Sequence, residues 1–255
     1  MSRTREALKK AEAEKNSGLH RSPFTWKENG EAKIPRDPQD SALEYEKIGA
    51  WLTNPAIHGR RVQTVMVVAP RSGTGNTTTA ALLAETLANV KKRRVLIIDS
   101  NFRTPSLNMV FHVKNGGGFT EVACEGVPFE VHIQPTNRPN LFVLTTGQIG
   151  TSSAEVFEGE AIDQLLVKLK ENFDIIIFDG APVIEFPDSF ALASKVDSII
   201  LVTQSEKTSI EEAQQAKRFL EHAGGHILGV VLNRQKDYMP AFLKKFFAKQ
   251  PFLNH

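Results

Sequence analysis

The sequence predicts an α/β fold in which a doubly wound, mostly parallel sheet carries helices on both faces. Apolar runs recur along the chain, and helical patterns separate most of them. The runs are continuous rather than alternating, which is typical of parallel strands buried on both faces. All are far shorter than the roughly 20 residues of a membrane-spanning helix. The runs are 65–69, 95–98, 175–178, 199–202 and 227–232.

The predicted strands and helices alternate along the chain, as expected for such a sheet. Each helix repeats apolar residues at helical spacing, for example Ile162, Leu165 and Leu169. The stretch ALEYEKIGAWL, which follows Ser41, has the same spacing and predicts a further helix. The strands are expected at 62–69, 94–98, 141–145, 174–178, 198–203 and 226–232, and the helices at 77–90, 160–171 and 208–223.

The 255 residues, of which 41% are hydrophobic, suffice for one domain of this kind with tails. Residues 1–40 are polar and contain several prolines, so we expect a mobile or loosely docked basic arm there. The compact domain is expected at 41–236. Residues 237–255 then form a C-terminal tail.

Charge is distributed unevenly along the chain. Residues 1–36 carry a net charge of +4 and residues 236–255 carry +3, whereas the whole chain has only +2. Basic tails are most often simply solvated, and the alternative is contact with anionic lipid or an acidic partner. Residues 239–249 predict a basic amphipathic helix, with Phe and Leu on one face and Lys on the other. Such a helix packs on its own domain, or contacts a membrane surface or a partner.

Cysteine and histidine usage bounds the chemistry. Cys124 is the only cysteine, which excludes an intramolecular disulfide or a cysteine metal cluster and fits a reducing compartment. The N-terminus lacks the apolar segment of a secretory signal, so we expect a cytoplasmic protein. The seven histidines are scattered without metal-ligand spacing, and no metal site is expected from them.

The stretch VQTVMVVAPRSGTGNTTTAALLAETLANV, residues 62–90, reads as a strand, a glycine-bearing loop and a helix. This is the layout of a phosphate-binding loop, because Gly73 and Gly75 let backbone N–H groups turn onto an anion at a helix N-terminus. Against the pattern G-x-x-x-x-G-K-[ST], Gly75 and Thr77 match. Pro70 stands at the first glycine position and Asn76 at the lysine position. The prediction is a degenerate P-loop.

Two predicted strands run directly into an aspartate, Asp99 and Asp179. A nucleotide-bound Mg²⁺ is held by one or two carboxylates, phosphate oxygens and a hydroxyl at the start of the P-loop helix, here Thr77. An aspartate at a strand end is also common in turns, so either one alone is weak support. Together with the glycine loop they predict a site for ATP and Mg²⁺.

Cationic contacts to the phosphates are reduced in this loop. Asn76 supplies at most a neutral hydrogen bond, which is about half as strong as a charge-assisted one. Arg71 lies inside the loop and either reaches a phosphate or faces solvent. Asn233, after the predicted last strand, either contacts an adenine edge or belongs to a turn. We therefore expect nucleotide binding to survive better than turnover.

The chain resembles a known family, the bacterial tyrosine kinases of capsule and exopolysaccharide synthesis (the CpsD- and CapB-like proteins). The likeness covers about residues 41–236 and places the chain beside the MinD and ParA-like P-loop ATPases. VLIIDSNFRTPSL resembles the family's second Walker motif, and FDIIIFDGAPV resembles its Walker B strand. ILGVVLNR resembles its last strand, and TSSAEVFEGEAIDQLL the segment before Walker B.

The resemblance implies roles for particular positions. Thr77 and Asp99 would serve Mg²⁺, Asp179 would polarise a Mg²⁺-bound water or the nucleophile, and Asn233 would contact the base. Arg71 falls where the MinD and ParA-like ATPases carry a signature lysine, and with Asp99, Asn101 and Asp179 it completes the catalytic set. The nucleotide-binding set is Arg71, Ser72, Gly73, Thr74, Gly75, Asn76, Thr77, Thr78 and Asn233, and the metal set is Thr77, Asp99 and Asp179.

Four departures from the family pattern argue against an efficient kinase. Asn76 replaces the loop lysine, and Asn101 replaces the second aspartate of its motif. The glutamate and two arginines of the family's subunit-contact helix appear here only as Glu44 and Lys47, with Ala50 at the last position. The C-terminal tyrosine cluster is absent, which leaves Tyr238 as the candidate phosphoacceptor.

Three functions follow as hypotheses. The first is a weak ATP-dependent tyrosine autokinase that regulates polysaccharide assembly and export. The second is a non-catalytic adaptor of a membrane polysaccharide co-polymerase, and the third is a MinD-like ATPase that cycles on the membrane. The expected partners are the cytoplasmic part of the co-polymerase, a second copy of the chain and the inner face of the plasma membrane. No nucleic acid partner is expected.

Overall fold

The computed structural model describes residues 38–59, 61–90, 92–148, 156–157 and 160–235. These residues contain a seven-stranded sheet with the order β3-β4-β2-β5-β1-β6-β7. Every neighbouring pair is parallel except β3 and β4. The strands are β1 Thr64–Val68, β2 Val95–Ser100, β3 Gln134–Pro135, β4 Leu141–Leu144, β5 Ile175–Gly180, β6 Ser198–Gln204 and β7 Ile227–Asn233. The mostly parallel α/β fold is confirmed.

Eight α-helices connect or flank these strands within the described residues. The long ones match the sequence patterns, whereas the shorter ones were not predicted, because fewer than two turns cannot display a 3.6-residue period. They are α1 Pro38–Leu52, α2 Pro55–His58, α3 Asn76–Asn89, α4 Leu107–Phe111, α5 Phe119–Cys124, α6 Glu160–Asn172, α7 Asp188–Ala193 and α8 Ile210–His222, with a short 3₁₀ helix at Phe129–Val131.

The first helix begins at Pro38 rather than near Ser41, so its first turn extends into the predicted arm. The chain divides into two units after Glu44, within this helix. Residues 1–37 and 236–255 lie outside the described residues. That part includes the predicted amphipathic segment 239–249 and Tyr238. Among the described helices, none has the length and apolarity needed to cross a membrane.

Successive strand residues point to opposite sides of the sheet, and β1, β2 and β5 are buried on both sides. The edge strand β7 was predicted from a continuous apolar run, but it is only half buried and exposes Val230 and Leu232. On one side, Met66 and Val68 of β1 join a cluster built with side chains from α5, α6, α7 and α8. The intervening residues Val65 and Val67 point to the other side. Helix α3, with its buried Leu83 and Leu87, packs against β1, β2 and β5.

Strand register places the candidate site. In the parallel pair β2 and β5, Asp99 lies directly opposite Asp179. Asp179 is in turn paired with Val67, near the end of β1. The loop after β1 therefore leaves the sheet at the same edge at which both aspartates stand, as expected for ligand sites of doubly wound folds.

Candidate nucleotide-binding site

The loop between β1 and α3 has the backbone of an anion-binding turn. Gly73 has φ of 75° and Gly75 has φ of 97°, both in the left-handed region that glycine adopts without strain. Gly75 also caps α3, and its carbonyl accepts the N–H of Thr79 at 3.0 Å. The loop thus delivers its backbone N–H groups next to the positive end of the α3 dipole.

Two side chains hold this loop in shape. Thr74, only 3% exposed, donates its hydroxyl to the Arg71 carbonyl at 2.7 Å. Asn233, at the end of β7, donates its Nδ2 to the Thr74 carbonyl at 2.9 Å. A Cβ on Gly75 would lie 2.3 Å from that Nδ2 and would displace it, and the φ of 97° is strained for any other residue. Asn233 therefore braces the loop, and its Oδ1 accepts the Arg234 N–H at 2.8 Å.

Asn76, at the lysine position of the motif, points into the sheet. Its Nδ2 donates to Asp179 Oδ1 at 3.0 Å and to the Gly180 carbonyl at 2.9 Å. The residue is 7% exposed. Both amide hydrogens are thus engaged by β5.

Asp99 and Asp179 are both buried, at 1% and 0% exposure, but they differ in their partners. Asp99 Oδ2 accepts the N–H groups of Ser106 and Leu107 at 2.9 and 3.0 Å, at the start of α4. Its Oδ1 accepts the Asn101 N–H at 3.2 Å. Asp179 accepts from Asn76 through Oδ1, whereas its Oδ2 has no hydrogen-bond partner.

Burial raises the pKa of both carboxyl groups. The pKa of Asp99 rises to about 6, with the backbone hydrogen bonds from Leu107, Ser106 and Asn101 opposing the increase. The pKa of Asp179 rises well above its usual value, first through burial and then through the charge of Asp99, with hydrogen bonds from the side chains of Thr77 and Asn76 opposing the increase. A cation bound beside these two carboxyl groups would lower the pKa of both, because it stabilises their charged forms.

Replacing Asp179 by asparagine is expected to stabilise the ligand-free protein at high pH. A raised folded-state pKa contributes stability that is fully present below the unfolded pKa and is lost as pH rises through the folded pKa. Asp179→Asn removes this loss, and we expect a gain of about 1–3 kcal/mol at pH 8 that is smaller at pH 4.5, because it vanishes only below the unfolded pKa of about 3.9. Urea unfolding at both pH values, without nucleotide or Mg²⁺, measures it.

Asp163→Asn, at an exposed surface ion pair with Lys195, is the matched control. Its effect should stay within about 0.5 kcal/mol at both pH values. A loss of stability in Asp179→Asn that is the same at pH 4.5 and pH 8 would contradict the charge argument.

Asn101 has a local structural role. Its Oδ1 accepts the N–H groups of Arg103 and Thr104 at 3.3 and 3.1 Å, and its Nδ2 donates to Thr104 Oγ1 at 3.0 Å. This is an Asx-type turn that shapes the segment after β2. The residue is 5% exposed, and its polar atoms are all satisfied within this turn.

The loop cation Arg71 is directed away from the loop interior. Its Nε bonds Glu212 of α8, and its Nη1 lies 4.0 Å from Glu185 Oε1. Glu185 also accepts from Ser72, whose N–H lies 3.3 Å from Oε1 and whose hydroxyl bonds Oε2. The guanidinium is half exposed and already paired with carboxylates.

Glu185 and Glu212 were missed in the sequence. Glu212 completes the capping box that starts α8, exchanging hydrogen bonds of 3.1 Å with Ser209. That capping pattern is readable in the sequence, but its contact with Arg71 is not, because the two residues are 141 positions apart. Also missed was the ion pair of Arg103 with buried Asp188 at 3.1 Å, which links the segment after β2 to α7.

The remaining predicted residues lie on the first turn of α3. Thr77 and Thr78 are half buried there, directly after the loop. The unpartnered Oδ2 of Asp179 and the hydroxyl of Thr77 are oxygen donors of the kind that Mg²⁺ takes, largely through its waters. Among the described residues, no three His, Cys, Asp or Glu side chains form a metal-holding group.

A glycine loop at a strand–helix junction, beside aspartates at two strand ends, defines the class of P-loop nucleotide-binding proteins. A family model described as AAA domain matches residues 62–226. Tyrosine-protein kinase YwqD of Bacillus subtilis is 33% identical over 177 residues, 69% of this chain and 74% of that protein. The chain belongs to this bacterial tyrosine-protein kinase family of AAA domain proteins.

Two solved structures are similar to this chain. The crystal structure of the chimerical protein CapA2B2 has a TM-score of 0.72 and 26% identity, covering 80% of this chain and 88% of that one. The septum site-determining protein MinD of Pyrococcus horikoshii, complexed with Mg-ADP, has a TM-score of 0.56 and 23% identity, covering 72% and 76%. The second likeness concerns the fold alone.

Proposed function

We propose that the chain binds ATP with Mg²⁺ at the loop 70–76 and regulates capsule or exopolysaccharide assembly, with only weak phosphoryl transfer. The observation that carries this proposal is the preformed loop, in which Gly73 and Gly75 both have left-handed backbones beside Asp99 and Asp179. A backbone of this shape stabilises phosphate without any side-chain charge.

In this proposal the loop backbone binds the phosphates, and side chains of the site hold the loop and the metal ion. Backbone N–H groups of the loop and the α3 dipole hold the polyphosphate, and Asn233 keeps the loop rigid through Thr74. Thr77, Asp99 and Asp179 would hold Mg²⁺, which neutralises phosphate charge when bound. The unpaired Oδ2 of Asp179 accepts a hydrogen bond from water or an attacking hydroxyl, and burial makes this carboxylate basic.

We expect weak phosphoryl transfer because the loop lacks a free cation at positions 71 and 76. Asn76 is neutral, and both its amide hydrogens are bound to β5. Arg71 is paired with Glu212 and Glu185. The transition state of phosphoryl transfer needs positive charge around the transferred group, so its stabilisation is reduced more than ground-state binding. These contacts also favour the second candidate function, a nucleotide-responsive adaptor without turnover.

The proposed partner is the cytoplasmic part of a membrane polysaccharide co-polymerase, with the chain at the inner face of the plasma membrane. The support is the family resemblance together with the likeness to CapA2B2, a chimeric protein. Self-association of the chain is part of the same proposal. Contact with the membrane through residues 239–249 remains a hypothesis, because that segment lies outside the described residues.

Calorimetric titration of the purified chain with Mg²⁺-ATP tests the proposal. We expect a dissociation constant in the micromolar range, and a loss of at least about tenfold in Gly75→Ala because the added Cβ meets Asn233 and strains the loop. Gly126→Ala is the matched control, since Gly126 has φ of 68° with open space around it. No binding by the native chain would overturn the proposed function.

A further inference from the structure

Lys207 is a cation next to the loop that lies outside the sequence motifs described above. It follows β6 in a well-formed turn, in which the N–H groups of Lys207 and Thr208 donate to the Gln204 carbonyl at 3.2 and 3.0 Å. The Gln204 N–H donates to Thr208 Oγ1 at 2.9 Å. Glu206 lies within this turn and has φ of 63°, a left-handed conformation that is unusual for a residue other than glycine. The turn therefore holds the backbone of Lys207 in one place.

The side chain of Lys207 reaches the phosphate loop. Its Nζ lies 3.8 Å from the position that a Cβ on Gly73 would occupy. Gly73 is itself exposed and belongs to the anion-binding turn. Lys207 is exposed too, and within the described part of the chain it has no carboxylate at ion-pair distance. It is thus an unpaired ammonium group at the rim of the site.

The other two cation positions of the loop differ from Lys207. Position 76 carries the neutral Asn76, bound to β5, and Arg71 is held by two glutamates. Among the described residues, Lys207 places an ammonium group beside Gly73 with no carboxylate at ion-pair distance. A lysine side chain on a flexible stem can shift by a few ångströms to meet a phosphate oxygen.

We propose that Lys207, in the β6–α8 turn of the same chain, binds the polyphosphate of the nucleotide. It would thereby replace the lysine that the loop lacks at position 76. The inference rests on the proposed nucleotide binding and adds the residue that supplies its charge. Lys207 contributes a charge-assisted hydrogen bond to the phosphates. Because the group is exposed, its contribution falls as salt is raised. The ligand class is a nucleoside di- or triphosphate.

The test is titration of the native chain and of Lys207→Ala with Mg²⁺-ATP at low and at high salt. We expect Lys207→Ala to lose about tenfold in affinity at low salt and less at high salt. Lys207→Arg should keep most of the affinity. The affinity of Lys207→Ala for Mg²⁺-tripolyphosphate, titrated alone, should fall by a similar factor, because the lost contact is to phosphate. Lys168→Ala, an exposed lysine on α6, should change nothing.

A second variant, Asn76→Lys, decides whether Lys207 is a substitute. If it is, Lys207→Ala should cost less than about threefold in the Asn76→Lys background, where the loop has its own cation. An equal loss of affinity in both backgrounds would overturn the inference that Lys207 takes the place of the missing loop lysine. Native binding that Lys207→Ala leaves unchanged would overturn the inference alone. Absence of binding by the native chain would overturn the inference together with the proposed function.

Discussion

Asn76→Lys is expected to raise the affinity for Mg²⁺-ATP by about 10- to 100-fold, the largest functional effect that any single substitution should produce. A lysine here restores the pattern G-K-[ST] with Gly75 and Thr77. It replaces a neutral amide by a charge-assisted contact to phosphate, which adds about 1.5–3 kcal/mol. Titration calorimetry on the native chain and the variant measures the change.

The new lysine also faces Asp179, whose Oδ1 accepts from Asn76 at 3.0 Å in the native chain. An ammonium group beside this buried carboxylate would lower its pKa and thereby stabilise its charged form. Because the new ammonium group adds positive charge around the transferred phosphoryl group, the variant should also gain phosphoryl transfer from labelled ATP, measured with and without Tyr238→Phe. Label that persists in the double variant would exclude Tyr238 as the acceptor.

Asn76→Gln is the matched control, because it keeps a neutral amide at the same position. Its affinity should stay within about threefold of the native value, since no charge is added. Equal affinities of Asn76→Lys and the native chain would contradict the prediction and mean that phosphate does not approach position 76. A gain in Asn76→Gln as large as that in Asn76→Lys would show that the effect is not one of charge.

Phe119→Ala is expected to produce the largest loss of stability, about 3–5 kcal/mol, with a fall in Tm of about 10 °C. Phe119 is fully buried at the start of α5. Its ring centroid lies 6.3, 5.8 and 6.1 Å from those of Phe102, Phe157 and Phe178. Truncation removes the shared member of an aromatic cluster and leaves a cavity. Urea unfolding of the ligand-free protein measures the loss.

Phe190→Ala on α7 is the control of the same chemistry, because Phe190 is 47% exposed. Its cost should be below about 1 kcal/mol. Similar costs for the two substitutions would mean that the cluster around Phe119 does not act as the core of the domain. The cluster joins β5 to the segment after Asp99 through Phe178 and Phe102, so the core and the site share support.

The main strands and the long helices were predictable from local pattern. Continuous apolar runs in β1, β2 and β5 have one favourable solution, a sheet that is covered on both faces. The sequence predicted that Gly73 and Gly75 let backbone N–H groups turn onto an anion, and in the fold both have left-handed backbones, which glycine adopts without strain. The short helices α4, α5 and α7 were not, since they lack a readable period.

Side-chain direction in the site depended on tertiary structure. The sequence left Arg71 with two options, and contact with Glu185 and Glu212, over 110 residues away, turned it outward. Asn233 was predicted either to contact an adenine edge or to belong to a turn. In the fold its amide donates to the Thr74 carbonyl, and a contact with a base stays a prediction.

What the amino-acid sequence determined by itself is the fold class, the loop and the two strand-end aspartates, because each follows from the chemistry of neighbouring residues. The tertiary structure decided which charges face the loop. Lys207 lies 134 residues after Gly73 and reaches it only because β6 ends at the same edge of the sheet as β1. Charge complementarity between distant loops depends on strand order and register, which local sequence does not encode.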